Sequence, residues 1–225
     1  MASIYRTWAD GDAFTAADAG TYFMRQANIS VANNTDRDAI LTPQAGMRVY
    51  NVAELAFETY NGTSWVQDWT EIGRKTLTVA SDTISIPSFI AKKYLKVTVT
   101  VTPTGGNLDT TLKFNNDTGA NYAWEYSSQN SVPVNMPSAG VIPLDSSTTT
   151  FYQSFVLDIT NFSTMQKLVR CTGTFTTGTG AGSPVGLFEI AAKWANNAQV
   201  TRIDVNNAGT GDFAIGSEIV VEGKN

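Results

Sequence analysis

The chemistry available to this chain is narrow. It has no histidine and a single cysteine, Cys171. That removes the commonest general base near neutral pH, the commonest transition-metal ligand, and every Ser-His-Asp or Cys-His device. A lone cysteine also excludes an intrachain disulfide and a cysteine zinc cluster. What is left is carboxylates and side-chain amides. Glycosidase chemistry asks for two carboxylates converging across a cleft. Asp109, Asp117, Glu125, Asp158 and Glu189 are available, but no spacing singles out a pair. Asp36 and Asp38 stand close together, yet acids in the first turn of a helix explain both charges without chemistry. Asn115-Asn-Asp-Thr-Gly119 sets oxygens at alternate positions as a calcium loop does. It lacks the downstream bidentate Glu, and turn chemistry accounts for the same residues. Gly178 to Gly186 is glycine-rich without a Lys-Ser/Thr pair or a following helix, so it is not a phosphate loop. The N-x-S/T triplets at Asn28, Asn33, Asn61, Asn116 and Asn161 are what an Asn/Thr-rich composition yields. No catalytic residue, metal ligand set or cofactor is expected.

One stretch offers a binding surface. Tyr122, Trp124 and Tyr126 alternate with Ala123 and Glu125, which puts the three rings on one face of a strand. They read as a sugar-stacking platform or as core. On a sandwich strand a one-sided aromatic row is more often core.

The elements that must position these residues follow from periodicity. Thr15-Ala-Ala-Asp18 opens a helical run to about Asn28, with Ala16, Ala19, Phe23 and Ala27 on one face. A second start at Thr35-Asp36-Arg37-Asp38, stopped by Pro43, predicts one or two further turns. From Gly46 the period becomes two. A strand over Met47–Asn51 precedes a hairpin, Ala56–Tyr60 and Thr63–Val66, whose Asn61-Gly62 predicts a type I′ turn. Residues 1–70 thus read as a small α+β module and 71–76 as a junction. Beyond it, strands are expected at Thr76–Val79, Thr83–Ile86, Tyr94–Thr102, Leu112–Phe114, Tyr122–Tyr126, Val141–Leu144, Phe151–Thr160, Leu168–Thr176, Gly186–Trp194, Val200–Val205 and Glu218–Val221. The clearest is Tyr94–Thr102, where Leu95, Val97, Val99 and Val101 oppose Lys96, Thr98, Thr100 and Thr102. So many strands with turn signals between them, and no further helix, point to an antiparallel β-sandwich over 77–225, arranged as a jelly roll.

Composition narrows the partners. At 225 residues the chain can bury one large or two small cores. A net charge of −5 and the lack of any basic run argue against nucleic acid, whose binding needs clustered Lys and Arg. No apolar run approaches a membrane span, and the start M-A-S-I-Y-R-T-W has no apolar region of the signal-peptide kind. The expectation is a soluble protein made in a cytoplasm.

Several segments also carry a resemblance. Residues 7–26, T-W-A-D-G-D-A-F-T-A-A-D-A-G-T-Y-F-M-R-Q, with T-D-R-D-A-I at 35–40, P-Q-A-G-M-R-V-Y at 43–50 and Y-N-G-T-S-W at 60–65, resemble the N-terminal region of tailed-bacteriophage virion proteins. F-N-N-D-T-G-A-N-Y at 114–122, V-T-R-I-D-V at 200–205 and G-D-F-A-I-G-S at 211–217 are similar to a β-rich phage structural domain of fibres and head decorations. The resemblance implies a non-enzymatic virion protein of the minor tail or tail-fibre kind, with capsid decoration or head fibre as the alternative. A glycan-binding or glycan-cleaving tail protein is a further alternative. It also implies other virion proteins as partners, self-association as a homotrimer, and contact with a host-surface glycan or protein. On that reading Trp8, Phe14, Tyr22, Phe23 and Arg25 are the docking or subunit contacts.

Overall fold

The structure is a computed structural model that describes residues 29–128, 133–145, 151–176, 178, 180–183 and 185–225. The expected helix at 15–28, and with it Trp8, Phe14, Tyr22, Phe23 and Arg25, lies outside the described residues. The chain divides into two compact units, residues 1–70 and 71–225.

In the first unit a four-stranded sheet runs β1 (Ile29–Val31), β2 (Arg48–Asn51), β3 (Ala56–Tyr60), β4 (Trp65–Gln67), with a short helix α1 (Asn34–Asp38) between β1 and β2. β1 lies parallel to β2 and was not expected as a strand. The helix cap is Asn33 rather than Thr35: its side-chain oxygen accepts from the Asp36 N–H, satisfying one orphan donor of the first turn. The Asn61-Gly62 turn differs from expectation. Tyr60 pairs with Trp65, so the loop has four residues, and only Gly62 takes positive φ. Asn61 Oδ1 accepts from the N–H groups of both Thr63 and Ser64, an Asx turn that competes with the two-residue geometry. The buried face of this sheet is partly polar. Glu58 bonds Arg37 at 2.8 Å and Asn51 at 3.0 Å beside Val49 and Ala56.

The second unit is a sandwich of an eight-stranded and a four-stranded sheet. Its strands are β5 (Thr70–Thr76), β6 (Thr83–Ile86), β7 (Tyr94–Val101), β8 (Pro103–Thr104), β9 (Thr110–Phe114), β10 (Tyr122–Ser128), β11 (Val134–Ala139), β12 (Ile142–Pro143), β13 (Gln153–Thr160), β14 (Lys167–Thr176), β15 (Val185–Trp194), β16 (Ile203–Asn207), β17 (Asp212–Phe213) and β18 (Glu218–Lys224). The small sheet runs β12-β9-β16-β6, and the large one begins β5-β18-β7-β13. Lettered B to I in chain order, with β5, β6, β7, β9, β12, β13, β16 and β18 as the eight strands, these are the B-I-D-G and C-H-E-F sheets of a jelly roll. Two hairpins depart from the minimal fold. β10–β11 and β14–β15 both add to the β13 side, completing the large sheet as β14-β15-β10-β11.

The period-two strands land as their sequences predict. On β7, β13 and β18 alternate residues are buried, and Leu95, Val97, Val99, Phe155, Leu157, Ile219 and Val221 meet Ile84, Leu112, Phe114, Ile203 and Val205 in one core. Each such side chain contributes about 1.5–3 kcal/mol by leaving water. Residues 71–76 are no junction: they form most of edge strand β5, and 77–79 are irregular instead of extended. β16 starts at Ile203, later than the expected Val200. β11 was not expected at all, since Pro137 sits inside it and Ser138 has φ +56°.

Candidate functional site

The most organised surface feature is the end of the sandwich where four loops meet: 87–93, 115–121, 161–166 and 195–202. They are tied together by four polar side chains, Asn115, Asp117, Asn161 and Lys167. Asn115 and Asn116 both take positive φ, and the Asp117 N–H donates to Phe114 O at 2.9 Å, so the two-asparagine turn has the backbone sense foreseen at Asn61-Gly62. Asn115 Oδ1 then accepts from the N–H groups of Thr201 and Arg202 at 2.9 and 3.0 Å, while its Nδ2 donates to Gln199 O.

Asp117 is the hub of the same loop. Its carboxylate accepts from Trp194 Nε1 at 2.7 Å, from the Gly119 N–H at 2.8 Å, and from Asn121 Nδ2 at 2.9 Å. Burial alone would raise its pKa; the bonds from Trp194, Asn121 and Gly119 outweigh that and hold it below the usual carboxylate value. Oxygens that face N–H donors are turned away from the role of cation ligands, which gives the stretch 115–119 a structural explanation.

Asn161 pins the third loop. It donates to Lys92 O and Val200 O and accepts from the Val200 N–H at 2.7 Å. Lys167 pins the fourth. Its ammonium is enclosed by the carbonyl oxygens of Phe162 at 2.6 Å, Met165, and Asn196 and Asn197 at 3.2 Å each. The residue is fully buried. Neither hub was singled out from sequence, though Lys167 left a signal. It stands in phase with the inward-facing Val169 and Cys171, a place where an alternating strand normally carries an apolar residue.

Of the three alternating aromatics, Tyr122 and Tyr126 are 1% and 7% exposed and belong to the core. Tyr122 stacks near Trp194 at 6.4 Å, and its hydroxyl accepts from the Phe114 N–H. Burial pushes that phenol up to about 12. Two of the rings therefore present no open face to a sugar. Trp124 is half-buried and lines a shallow depression of about 450 Å³ with Ala123, Pro137, Leu168, Ala191 and Lys193. The floor is apolar because two alanines on adjacent strands leave the sheet surface bare.

The carboxylates named from sequence do not converge. Asp109 precedes β9, at the opposite end of that strand from Asp117. Asp158 lies on the exposed face of β13, in register with Lys96 and Arg170. Glu189 on β15 is 3.6 Å from Arg170, and Glu125 is exposed on β10. Among the described residues no group of three or more His, Cys, Asp or Glu could hold a metal ion. Cys171 is buried in the core, and its thiol is pushed up to about 12 by that burial.

Compared with known family models, curated proteins and solved structures, the chain matches none.

Proposed function

We propose that the protein is a non-enzymatic structural component of a tailed-phage virion, of the minor tail or tail-fibre kind. Residues 1–70 attach it to the particle, and the jelly roll of 71–225 projects and self-associates as a trimer. The observation that carries this reading is the combination of jelly-roll topology with a filled interior. Jelly rolls serve as capsid, lectin and cupin domains. A cupin keeps a ligand cavity lined with metal ligands, whereas this interior is packed with Phe114, Tyr122, Phe155, Phe188 and Trp194. A lectin platform needs open rings, and two of the three candidates are core. A filled interior suits scaffold use, and that reading agrees with the resemblance carried by residues 7–26 and 114–122.

The test is to locate the chain in purified particles with antibody raised against residues 71–225. A few copies on the tail support the reading, and dense labelling of the head moves the protein to capsid decoration. Particles that lack the chain altogether sink the proposal. Light scattering of the isolated full chain reads the trimer, and a monomer at micromolar concentration removes that part.

A further inference from the structure

Buried lysines are rare and are normally paired with a carboxylate. Lys167 has a different solution: its ammonium donates to four backbone carbonyl oxygens, drawn from the loop after β13 and the loop after β15. An ammonium has three N–H donors, so four acceptors around it mean that one hydrogen is shared. Rings of backbone carbonyls are how proteins strip and hold monovalent cations. We propose that this pocket is a site for a primary ammonium ion, filled in the native chain by the tethered ammonium of Lys167.

The cage loops have anchors besides Lys167. Asn161 ties its own loop to Lys92 and Val200, and Gln199 Nε2 returns a bond to Asn161 O at 2.9 Å. The Ala198 N–H donates to Asn196 Oδ1 at 2.8 Å, and the Asn196 N–H to Trp194 O at 2.9 Å. These bonds fix Asn161, next to Phe162, and Asn196, next to Asn197, so the loops that carry the carbonyls are anchored by contacts other than Lys167. Truncation at Cβ then leaves a channel with the shape of Cγ, Cδ, Cε and Nζ, which is the shape of n-propylammonium. This site is independent of the virion assignment and stands or falls without it.

The test uses the full chain carrying Lys167→Ala, melted in n-propylammonium, ammonium or tetramethylammonium chloride at one chloride concentration. The variant melts below the native chain in tetramethylammonium, which is too bulky and has no N–H to donate. Propylammonium restores about half or more of the lost melting temperature at saturating concentration, and n-propanol, with the same stem and no charge, does not. The native chain shows no such selectivity. Equal melting of the variant in all these solutes overturns the proposal. Should Lys167→Ala fail to fold, its refolding from urea in the same solutes decides. Propylammonium then raises the folded yield where n-propanol and tetramethylammonium do not, and equal yields overturn the proposal.

Discussion

Asp117→Ala tests how the loop end is held together. The carboxylate serves three donors, and they do not count equally. Trp194 is 1% exposed and its indole N–H has Asp117 as its acceptor, so it is the donor most affected when the carboxylate is removed. Leaving a buried donor unpaired costs about 1–3 kcal/mol. The Gly119 N–H and Asn121 Nδ2 are less enclosed, and water replaces the carboxylate there for about 0.5–1 kcal/mol together. The expected loss is therefore about 1.5–4 kcal/mol, and Asp117→Asn, which keeps one carbonyl oxygen, loses roughly half of it. Urea denaturation followed by near-ultraviolet circular dichroism reads the change. With a slope of about 2 kcal/mol per molar, the midpoint falls by about 1–2 M. The pH dependence gives a second reading with a fixed sign. A carboxyl held below its unfolded value contributes stability that is fully present above that value and is lost as pH falls through the folded one. The gap between native chain and Asp117→Ala should thus be widest near neutrality and narrow in acid. A variant within about 0.5 kcal/mol of the native chain at neutral pH refutes the reasoning, since a change that small marks a surface site.

Three other substitutions probe separate links. At Gly173 an added Cβ would sit 2.1 Å from Phe188 Cε2, so Gly173→Ala should cost about 1–3 kcal/mol in a thermal or urea melt. Asn116 at φ +59° should accept Asn116→Gly with little change, while Asn116→Val loses about 1–2 kcal/mol on the same measurement. Glu58→Ala removes the acceptor that Arg37 and Asn51 share, but Arg37 keeps Asp38 and Asn51 keeps Asn34, so about 1–3 kcal/mol of local stability goes with it. Limited proteolysis should then cut within 29–70 sooner, with the circular dichroism of the sandwich retained.

The strands that bury one face could be read directly, because a period of two over eight residues admits one geometry. β7 and β13 are the clearest cases. What the alternation of Tyr122, Trp124 and Tyr126 could not say is which side would be covered, since that depends on Phe114 and Trp194 arriving from distant strands. Edge elements were harder. Thr70–Thr76 carries Glu71, Arg74 and Lys75, the charges that guard an open edge and also make a strand look like a linker. β11 hides behind Pro137. Turn type was misplaced because Asn-Gly and Asn-Asn both permit positive φ, and the side-chain bonds of Asn61 and Asn115 decide between geometries only once their partners are in position. The same holds for Asn161 and Lys167, whose acceptors lie on loops far away in sequence.

The first and last strands of the sandwich are neighbours. At one end of the β5–β18 pair the Leu77 N–H donates to Ser217 O and Leu77 O accepts from the Gly216 N–H, Glu218 reaches Arg74 and Thr76, and Ile72 approaches Gly223 near the other end. The strand that opens the domain therefore begins beside the place where the last one finishes. Order of synthesis and order in space are decoupled at this edge, so residues 71–225 can be rewired. Joining Asn225 to Glu71 through a short glycine-serine linker and reopening the chain in the exposed 180–183 turn should give a circular permutant with the same sheet. Cargo for display belongs in that turn too, because a fusion after Asn225 would emerge beside the β5 edge.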